Sequence, residues 1–411
     1  MEKGVTLRLR VVNLNVQVKL FAGGYTPVWR CPPYRPTWEG TKKGCTFGKG
    51  PYGFWIEWLF TLPSDLPVLP SATPIFFAFA VPYSTEDVEK KLRSVAEAIE
   101  SNPELKESVY YHRSTLVKSC DGRAVPLLTL TSMKGRLEQE VDGQALIAEQ
   151  STTDDGHKLL YPDGDTRNGR AGGPACNFVQ SKPIIFISAR VHPAETMAQW
   201  MFDGVLDFLL RLDDPRATAL RDGFVFKLVP LVNPDGVARG HQRTDTLGQN
   251  LNRCYMAPTP TREPTVYAIR EALLDWHRTG RLAMYFDLHA HTSRENAFLF
   301  GNFYSGLSDQ VDNILFAKLA TLNSQHIDFS NCNFSASGMS MEMHDGTSKS
   351  GSGRVALFHA TSEPVSKTSE EDSQAHKTNA RKRVLCYTIE CHFNKGRHRN
   401  ACVGISFCRY H

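Results

Sequence analysis

A histidine and a glutamate stand three residues apart in the segment VHPAET, where His192 and Glu195 follow the apolar run PIIFISAR. That run is typical of a buried strand, so the pair falls where a strand gives way to a helix and both side chains can point at one cation. The spacing is a weak signal alone, because a chain with 14 histidines contains such pairs by chance. A capping or surface pair explains these two residues equally well.

A third candidate ligand ends another apolar run, MYFDLHAHT, where His289 and His291 lie on the same face of a strand. The carboxyl ends of strands are where α/β sheets build their sites. Two imidazoles, from His192 and His289, and the carboxylate of Glu195 would leave one position of a zinc ion open for water. Catalytic zinc sites have this pattern, whereas structural zinc usually has four protein ligands.

A candidate general base, Glu390, ends the apolar run VLCYTIE. Such a base would take a proton from the water at the metal. Taken alone, a glutamate that emerges into solvent at the end of a strand is the better interpretation. Its coincidence with the other strand-end residues favours the catalytic one.

A turn-rich segment, NPDGVARGHQRTDTLGQNLNRCY, presents Arg243, Asn252 and Arg253 after the apolar run FVFKLVPLV. Arginines suit the capture of a carboxylate and the stabilisation of an oxyanion. The alternative is a solvated basic loop, the usual fate of isolated arginines.

The elements that would position these residues alternate between apolar strands and helical patterns from residue 183 onward. We expect an α/β domain with a mixed, largely parallel sheet flanked by helices. The expected strands are 184–188, 224–232, 283–288 and 384–389, and the expected helices include 195–212 and 264–276. Two polar stretches, 134–182 and 363–383, are interpreted as loop insertions.

The first 83 residues differ in pattern, with short β-type runs at 6–18, 54–62 and 74–81 between Pro- and Gly-rich turns. They predict a small all-β domain at 1–83, followed by the α/β domain at 84–411. A capping box, Ser84-x-x-Asp87, opens the second domain with a helix. The apolar residues on one face of that helix are Val88, Leu92, Val95, Ala96 and Ile99.

The composition of the chain bounds its class. Its 411 residues suit two domains, and a net charge of +4 lacks the concentrated basicity of a dedicated nucleic-acid binder. The ten cysteines show no CxxC pair, which favours reduced thiols in the cytosol. We expect neither a secretion signal nor a membrane span, because the first residues alternate like a strand and no apolar run approaches about 20 residues.

The motifs HPAET, NPDGVARGHQR, QNLNR, DLHAH and YTIEC, in that order, resemble the zinc metallocarboxypeptidases and specifically their cytosolic carboxypeptidase branch. The segments FFAFAVPYS and KSGSGRVALF share the resemblance. It implies a small β-sandwich before the carboxypeptidase domain and one zinc ion per chain. It also implies an enzyme that removes C-terminal or branch-point glutamates from polyglutamylated proteins, tubulin above all, in the cytoplasm and at microtubules or cilia.

Matched residue by residue, the family's zinc motif falls on His192, Glu195 and His289, and its general base falls on Glu390. Its transition-state arginine falls on Arg243. Asn252 and Arg253 match the clamp for the terminal carboxylate of the substrate.

Specificity for glutamate would need a further cation in the pocket. Arg354 within GSGRVALF, helped by Lys349, is the candidate for the side-chain carboxylate.

Several positions depart from the family pattern. Ala194 stands where glycine is usual, and Asn250 stands where many members have an aspartate that orients a zinc-bound histidine. An amide oxygen can still accept that N–H bond. Phe358 lies near the place of a substrate-facing tyrosine, so no tyrosine is assigned to that role. The sandwich is expected to be partial and a closing C-terminal helix to be missing, which would leave apolar surface uncovered.

Two other functions stay open on the sequence alone. One is a zinc amidohydrolase of small N-acyl amino acids, although such enzymes usually lack the NPDG to NLNR loop and the N-terminal sandwich. The other is a catalytically impaired homologue that binds acidic tails, which bound metal would distinguish from an enzyme.

Overall fold

The computed structural model describes residues 5–42, 44–70, 72–135, 182–292, 294–342, 346–362 and 383–393. The predicted insertions at 134–182 and 363–383 lie outside these residues except at their ends. The chain divides into two compact units. Of the described residues, the smaller unit contains 5–83, 291–296 and 392–393, and the larger contains those of 84–290 and 297–391.

The smaller unit consists of two three-stranded antiparallel sheets and one short helix. The elements are β1 (Thr6–Leu14), α1 (Val18–Ala22), β2 (Val28–Cys31), β3 (Arg35–Gly40), β4 (Thr46–Gly50), β5 (Gly53–Thr61) and β6 (Phe76–Ala78). The sheets have the strand orders β1-β5-β4 and β3-β2-β6.

Aromatic side chains from both sheets form the core of this unit. Alternate residues of β5 are buried, as a half-buried strand requires. The ring of Phe60 on β5 lies 5.0 Å from the ring of Trp29 on β2 and 4.9 Å from the ring of Phe77 on β6. The two sheets therefore pack face to face, in keeping with the small β-sandwich that the family resemblance implied.

The larger unit begins with α2 (Thr85–Ser101), followed by α3 (Pro103–Ser108). The Ser84 hydroxyl accepts the N–H of Asp87, and the Asp87 carboxylate accepts the N–H of Ser84. The buried residues of α2 are Val88, Leu92, Val95 and Ile99. The capping box is the predicted one, and so is the apolar face except for Ala96, which is only partly buried.

A seven-stranded sheet forms the centre of the larger unit. Its strands are β7 (Val109–Lys118), β8 (Ala124–Ser132), β9 (Ile184–Ala189), β10 (Val225–Val229), β11 (Leu282–His291), β12 (Ala297–Phe300) and β13 (Leu385–His392), in the order β12-β13-β11-β9-β10-β8-β7. The central β9 pairs in parallel with β10 and β11. Antiparallel pairs β10–β8, β8–β7 and β12–β13 lie to either side. The sheet is thus mixed, with its parallel strands in the middle.

The remaining helices of the described chain belong to the same unit. They are α4 (Thr196–Leu209), α5 (Pro215–Gly223), α6 (Pro234–Ala238), α7 (Pro264–Arg278), α8 (Leu307–Asn323), α9 (Ala336–Ser340) and α10 (Gly353–Ser362), with 3₁₀ turns at Leu251–Arg253, Phe329–Asn331 and Lys349–Gly351. The helix α7 buries Val266, Ile269 and Leu273 in one core with Ile184 and Phe186 of β9. That packing fixes the strand that leads into the candidate site.

The described residues also bear on the expectations about membrane spans and cysteines. None of the helices found among them has the length and apolar character that crossing a bilayer requires. The seven cysteines in this part of the chain carry free thiols, as the scattered spacing predicted.

Candidate metal centre

The three predicted ligands meet at the carboxyl ends of two neighbouring parallel strands. His192 lies in the turn after β9, Glu195 is the N-cap of α4, and His289 lies near the end of β11. Their ligand atoms all lie within 4.8 Å of one another. Nδ1 of His192 is 2.8 Å from Oε1 of Glu195, and Nδ1 of His289 is 2.9 Å from Oε2. Among the described residues, only these three form a group able to hold a metal ion.

The turn that carries His192 is held by a buried arginine. Arg190 has a φ of 61°, a conformation that is uncommon for a residue with a side chain. Its Nε and one terminal nitrogen both donate to the carbonyl of Pro193, at 3.0 and 2.6 Å. Ala194 is not among the residues with positive φ. Its methyl group is therefore compatible with the backbone of the turn.

The outer nitrogens of both histidines are also engaged. Nε2 of His192 lies 3.0 Å from Oδ1 of Asn250, and Nε2 of His289 lies 2.7 Å from Oδ2 of Asp287. Each Nε2 thus faces an outer oxygen acceptor, and each Nδ1 faces the Glu195 carboxylate, where a bound metal would take the place of an Nδ1 proton. Metal-binding histidines are usually held in this way by oxygen acceptors. The outer acceptors set the tautomers of the two imidazoles, and two imidazoles with one carboxylate fit a zinc ion.

A proton on His289 balances charge inside this group. Burial alone would raise the pKa of Glu195, but His192 and His289 hold it well below its usual value. Burial lowers the pKa of His192. Burial also acts to lower the pKa of His289, but Asp287 and Glu195 outweigh it and raise that pKa well above the usual value. A divalent cation would displace this proton, so metal binding is expected to weaken as pH falls.

The predicted base, Glu390, lies on β13, which neighbours β11 in the sheet. It is partly buried and stands opposite Phe298 of β12, and its Oε2 accepts no hydrogen bond from any residue that the structure describes. Burial raises the pKa of its carboxyl to about 7, although the positive charge of His289 acts against this. A carboxylate with a free acceptor atom and a pKa near neutrality suits the transfer of a proton.

Arg243 and Asn252 lie beside the three ligands. A terminal nitrogen of Arg243 is 3.9 Å from Oε1 of Glu195, and its side chain is 41% exposed. Nδ2 of Asn252 lies 3.2 Å from Nε2 of His289, while its Oδ1 accepts the N–H of Gly353 at 3.1 Å. Because Nε2 of His289 donates to Asp287, it cannot also accept from Asn252. The amide hydrogens of Asn252 are therefore not consumed by that contact.

Arg253 ends the same 3₁₀ turn and packs against the turn Lys349–Gly351. Its Nε donates to Oγ1 of Thr347 at 3.2 Å, and a terminal nitrogen donates to the carbonyl of Asn252 at 2.7 Å. A Cβ atom on Gly351 would lie only 2.2 Å from the carbonyl oxygen of Arg253. The close approach of these two turns therefore requires glycine at residue 351.

Arg354, predicted to meet a glutamate side chain, lies in α10 and is only 3% exposed. One terminal nitrogen donates to the carbonyl of Gly301 and, at 2.5 Å, to Oδ1 of Asn302, while Nε is buried and has no partner in the described part of the chain. Burial lowers its pKa to about 10, with Glu390 among the groups that oppose the shift. Arg354 is therefore a buried cation whose charge acts on the candidate base.

Lys349 and Phe358 have different environments. Nζ of Lys349 lies 4.7 Å from the centre of the Phe300 ring, and its charge acts to lower the pKa of Glu390. Phe358 packs edge-on against Tyr304, with 4.9 Å between the ring centres. It belongs to a small apolar core, in keeping with the absence of a role assigned to it.

Sequence reasoning missed two residues of this site, Asp287 and Ser188. The Asp287 carboxylate accepts from the Ser188 hydroxyl at 2.8 Å as well as from His289. One signal was available, since an aspartate stands within the apolar run MYFDLHAHT, two residues before His289. Such a residue shares a strand face with the ligand.

The fold and the site define a class of protein. The chain belongs to the zinc carboxypeptidase family, whose family model matches residues 103–397. Among curated proteins, it is 32% identical to cytosolic carboxypeptidase-like protein 5 of Homo sapiens over 97% of this chain and 50% of that protein. The same protein of Danio rerio is 30% identical over 97% of this chain and 51% of its own length. The chain therefore spans about half the length of these relatives.

Another relative covers less of the chain. Cytosolic carboxypeptidase 1 of Homo sapiens is 30% identical over 55% of this chain and 15% of its own length.

Solved structures show the same fold at low identity. A metallo-carboxypeptidase from Burkholderia cenocepacia has a TM-score of 0.59 and 21% identity, covering 95% of this chain and 78% of that one. A metallo-carboxypeptidase from Pseudomonas aeruginosa has a TM-score of 0.58 and 18% identity, covering 96% and 78%. The expected carboxypeptidase fold is thereby confirmed.

Proposed function

We propose that this chain is a zinc-dependent metallocarboxypeptidase that removes C-terminal or branch-point glutamates from polyglutamylated proteins, with tubulin as the main substrate. The observation that carries the proposal is the convergence of His192, Glu195 and His289 near the carboxylate of Glu390, whose Oε2 has no hydrogen-bond partner among the described residues. Relatives named cytosolic carboxypeptidases support the end of a peptide chain as the substrate and the cytoplasm as the location. Action at microtubules or cilia follows from tubulin as the proposed substrate.

The chemistry follows from the roles that these side chains can take. Zinc bound by His192, Glu195 and His289 would supply a Lewis acid at the scissile carbonyl. Glu390 takes the proton of the attacking water and delivers it to the departing amine, for which a pKa near neutrality is suited. Arg243, exposed beside Glu195, stabilises the negative charge that develops on the carbonyl oxygen.

Selection for chain ends comes from groups that bind a terminal carboxylate. Asn252 offers amide hydrogens and Arg253 a guanidinium, and both belong to one 3₁₀ turn next to the ligands. Charge-assisted bonds to a free carboxylate are stronger than bonds to a neutral amide. A peptide with an amidated C-terminus is therefore expected to be a poor substrate.

Selection for glutamate is assigned to Arg354, with help from Lys349. Arg354 keeps its charge at neutral pH, and its buried Nε has no partner within the described chain. A substrate carboxylate would supply the missing acceptor and reduce the cost of burying the cation. Lys349 adds a second positive charge, which acts to lower the pKa of Glu390.

A panel of four substrates tests this function. It consists of a peptide ending in glutamate, the same peptide with an amidated C-terminus, one with a branch-point glutamate, and an N-acyl amino acid. The proposal predicts release of glutamate from the first and third only. Hydrolysis of the N-acyl amino acid alone would show a small-molecule amidohydrolase, and tight binding of acidic peptides without hydrolysis would show a binding module.

Arg354→Ala tests the specificity separately. The Michaelis constant for C-terminal glutamate should rise far more than that for a C-terminal neutral residue, because only the former has a side-chain carboxylate. Arg354→Lys keeps a charge and serves as the matched control. Equal losses on both substrates, accompanied by a lower melting temperature, would show that Arg354 acts in folding.

A further inference from the structure

Asp287 is a fully buried carboxylate in the middle of β11, with no exposed surface. A buried charge is costly unless it is hydrogen-bonded. Both of its oxygens are engaged, since Oδ1 accepts from the Ser188 hydroxyl at 2.8 Å and Oδ2 accepts from Nε2 of His289 at 2.7 Å. A core strand would otherwise have an apolar side chain here, so this carboxylate needs an explanation.

The position of Asp287 links the two strands that carry the ligands. Asp287 of β11 and Ser188 of β9 are direct partners in the parallel register. Ser188 precedes the turn that bears His192 and Glu195, and Asp287 precedes His289 by two residues. The bond between their side chains therefore ties the histidine of one strand to the strand that leads to the other two ligands.

We propose that Asp287 is the positioning residue for His289, and that Ser188 fixes Asp287 in turn. Because Oδ2 holds a proton on Nε2, Nδ1 is the nitrogen that faces Glu195 and the common space of the ligands, where it can give its lone pair to a bound metal. Rotation of the ring, or a change of tautomer, would break that bond and remove the lone pair from the site. This inference rests on the metal site of the proposed function and adds residues that orient one of its ligands.

The two histidines are held by acceptors of different charge. Nε2 of His192 faces an amide oxygen, that of Asn250, whereas Nε2 of His289 faces a carboxylate. A carboxylate makes the stronger, charge-assisted bond and makes the imidazole a better donor to a metal. The reciprocal changes Asp287→Asn and Asn250→Asp should therefore shift zinc affinity in opposite directions.

Zinc affinity, measured by competition with a chromophoric chelator, tests the proposal without reference to catalysis. Loss of such an outer hydrogen-bond partner typically weakens metal binding about 10- to 100-fold, so Asp287→Ala should do so. The isosteric Asp287→Asn keeps an acceptor oxygen and should show a smaller loss. Ser188→Ala should weaken binding on its own but add nothing in the Asp287→Ala background, because its acceptor is then gone.

Two measurements separate orientation from folding. Tyr285→Phe removes a hydroxyl 3.4 Å from the Ser188 hydroxyl and leaves both bonds of Asp287 in place, so its zinc affinity should equal that of the unaltered protein. At a pH where the His289 ring is neutral, nitrogen-15 NMR of the metal-free protein should show the tautomer that is protonated at Nε2. In Asp287→Asn at a pH where the ring is neutral, the Nδ1-protonated tautomer should gain population.

The outcomes distinguish this inference from the function it rests on. If the unaltered protein binds zinc and both Asp287 variants bind it equally tightly, the positioning role is refuted while the metal site stands. If the unaltered protein binds no zinc, the proposed function and this inference fail together. Weakened binding in Tyr285→Phe to the level of Asp287→Asn would also refute the role, because it would show that any change in this core disturbs the site.

Discussion

The carboxyl of Glu390 should lower the stability of the metal-free protein at neutral and alkaline pH. Burial raises its pKa from 4.5 to about 7, so the folded chain holds a proton that the unfolded chain releases between those values. Since the folded state binds more protons there, its stability falls as pH rises from 4.5 to 7 and stays lower above that. The difference in pKa corresponds to about 3 kcal/mol.

Glu390→Gln replaces this carboxyl with a neutral side chain of the same shape. Urea unfolding in the presence of a chelator should show the variant up to about 3 kcal/mol more stable than the unaltered protein at pH 8. The two proteins should be equally stable near pH 4, where the carboxyl is protonated in both states. Without the chelator, zinc should narrow the difference at pH 8, because a nearby cation stabilises the ionised carboxylate. The variant should retain zinc and lose hydrolysis of peptides that end in glutamate.

The result that would refute this reasoning is a stability difference that does not change between pH 4 and pH 8. That outcome would show that Glu390 is solvated and that its pKa is not raised by burial. Wild-type rates of glutamate release by Glu390→Gln would refute its role as the base.

Three further substitutions test the cap of α2, the burial of His112 and the close approach of two turns at Gly351. Ser84→Ala removes the side chain that caps α2 and should cost about 1 kcal/mol in urea unfolding, whereas an unchanged midpoint would contradict the capping box. Burial, aided by the charge of Lys227, lowers the pKa of His112 to about 4. The unaltered protein should therefore lose up to about 3 kcal/mol of unfolding free energy as pH falls from 6.5 to 4, and His112→Gln should not show this loss. Identical dependence of stability on pH in the two proteins would contradict this expectation. Gly351→Ala places a methyl group against the Arg253 carbonyl, so it should lower the free energy of unfolding by about 1–3 kcal/mol and raise the Michaelis constant for peptides that end in glutamate. The control Gly204→Ala, with open space around its methyl group, should have neither effect.

The meeting of the three candidate ligands could be predicted because a local sequence pattern marks each of them. His192 and Glu195 follow a continuous apolar strand, and His289 ends another. In an α/β sheet the carboxyl ends of parallel strands share one edge, so strand pattern alone brings these residues near each other. The cap of α2 could be predicted for a similar reason, because Ser84 and Asp87 are close in sequence.

The features that escaped prediction depend on contacts between distant segments. The strand order places β13 beside β11, although 93 residues separate His291 from Leu385 by number and no local pattern encodes that pairing. The environment of Arg354 is set by Gly301 and Asn302, which precede it by 53 and 52 residues. The bond between Ser188 and Asp287 spans 99 residues. Short elements such as α1 also escaped, because five residues give too little periodicity to recognise.

Zinc-dependent release of glutamate from polyglutamylated tubulin tests the central claim most directly. The purified chain should contain about one zinc ion, since the described residues offer a single group of three ligands. It should release free glutamate, stop when a chelator removes the metal, and resume when zinc is restored. Release that continues after complete removal of the metal, or a zinc-loaded chain that releases no glutamate from any glutamate-ending substrate, would contradict the account.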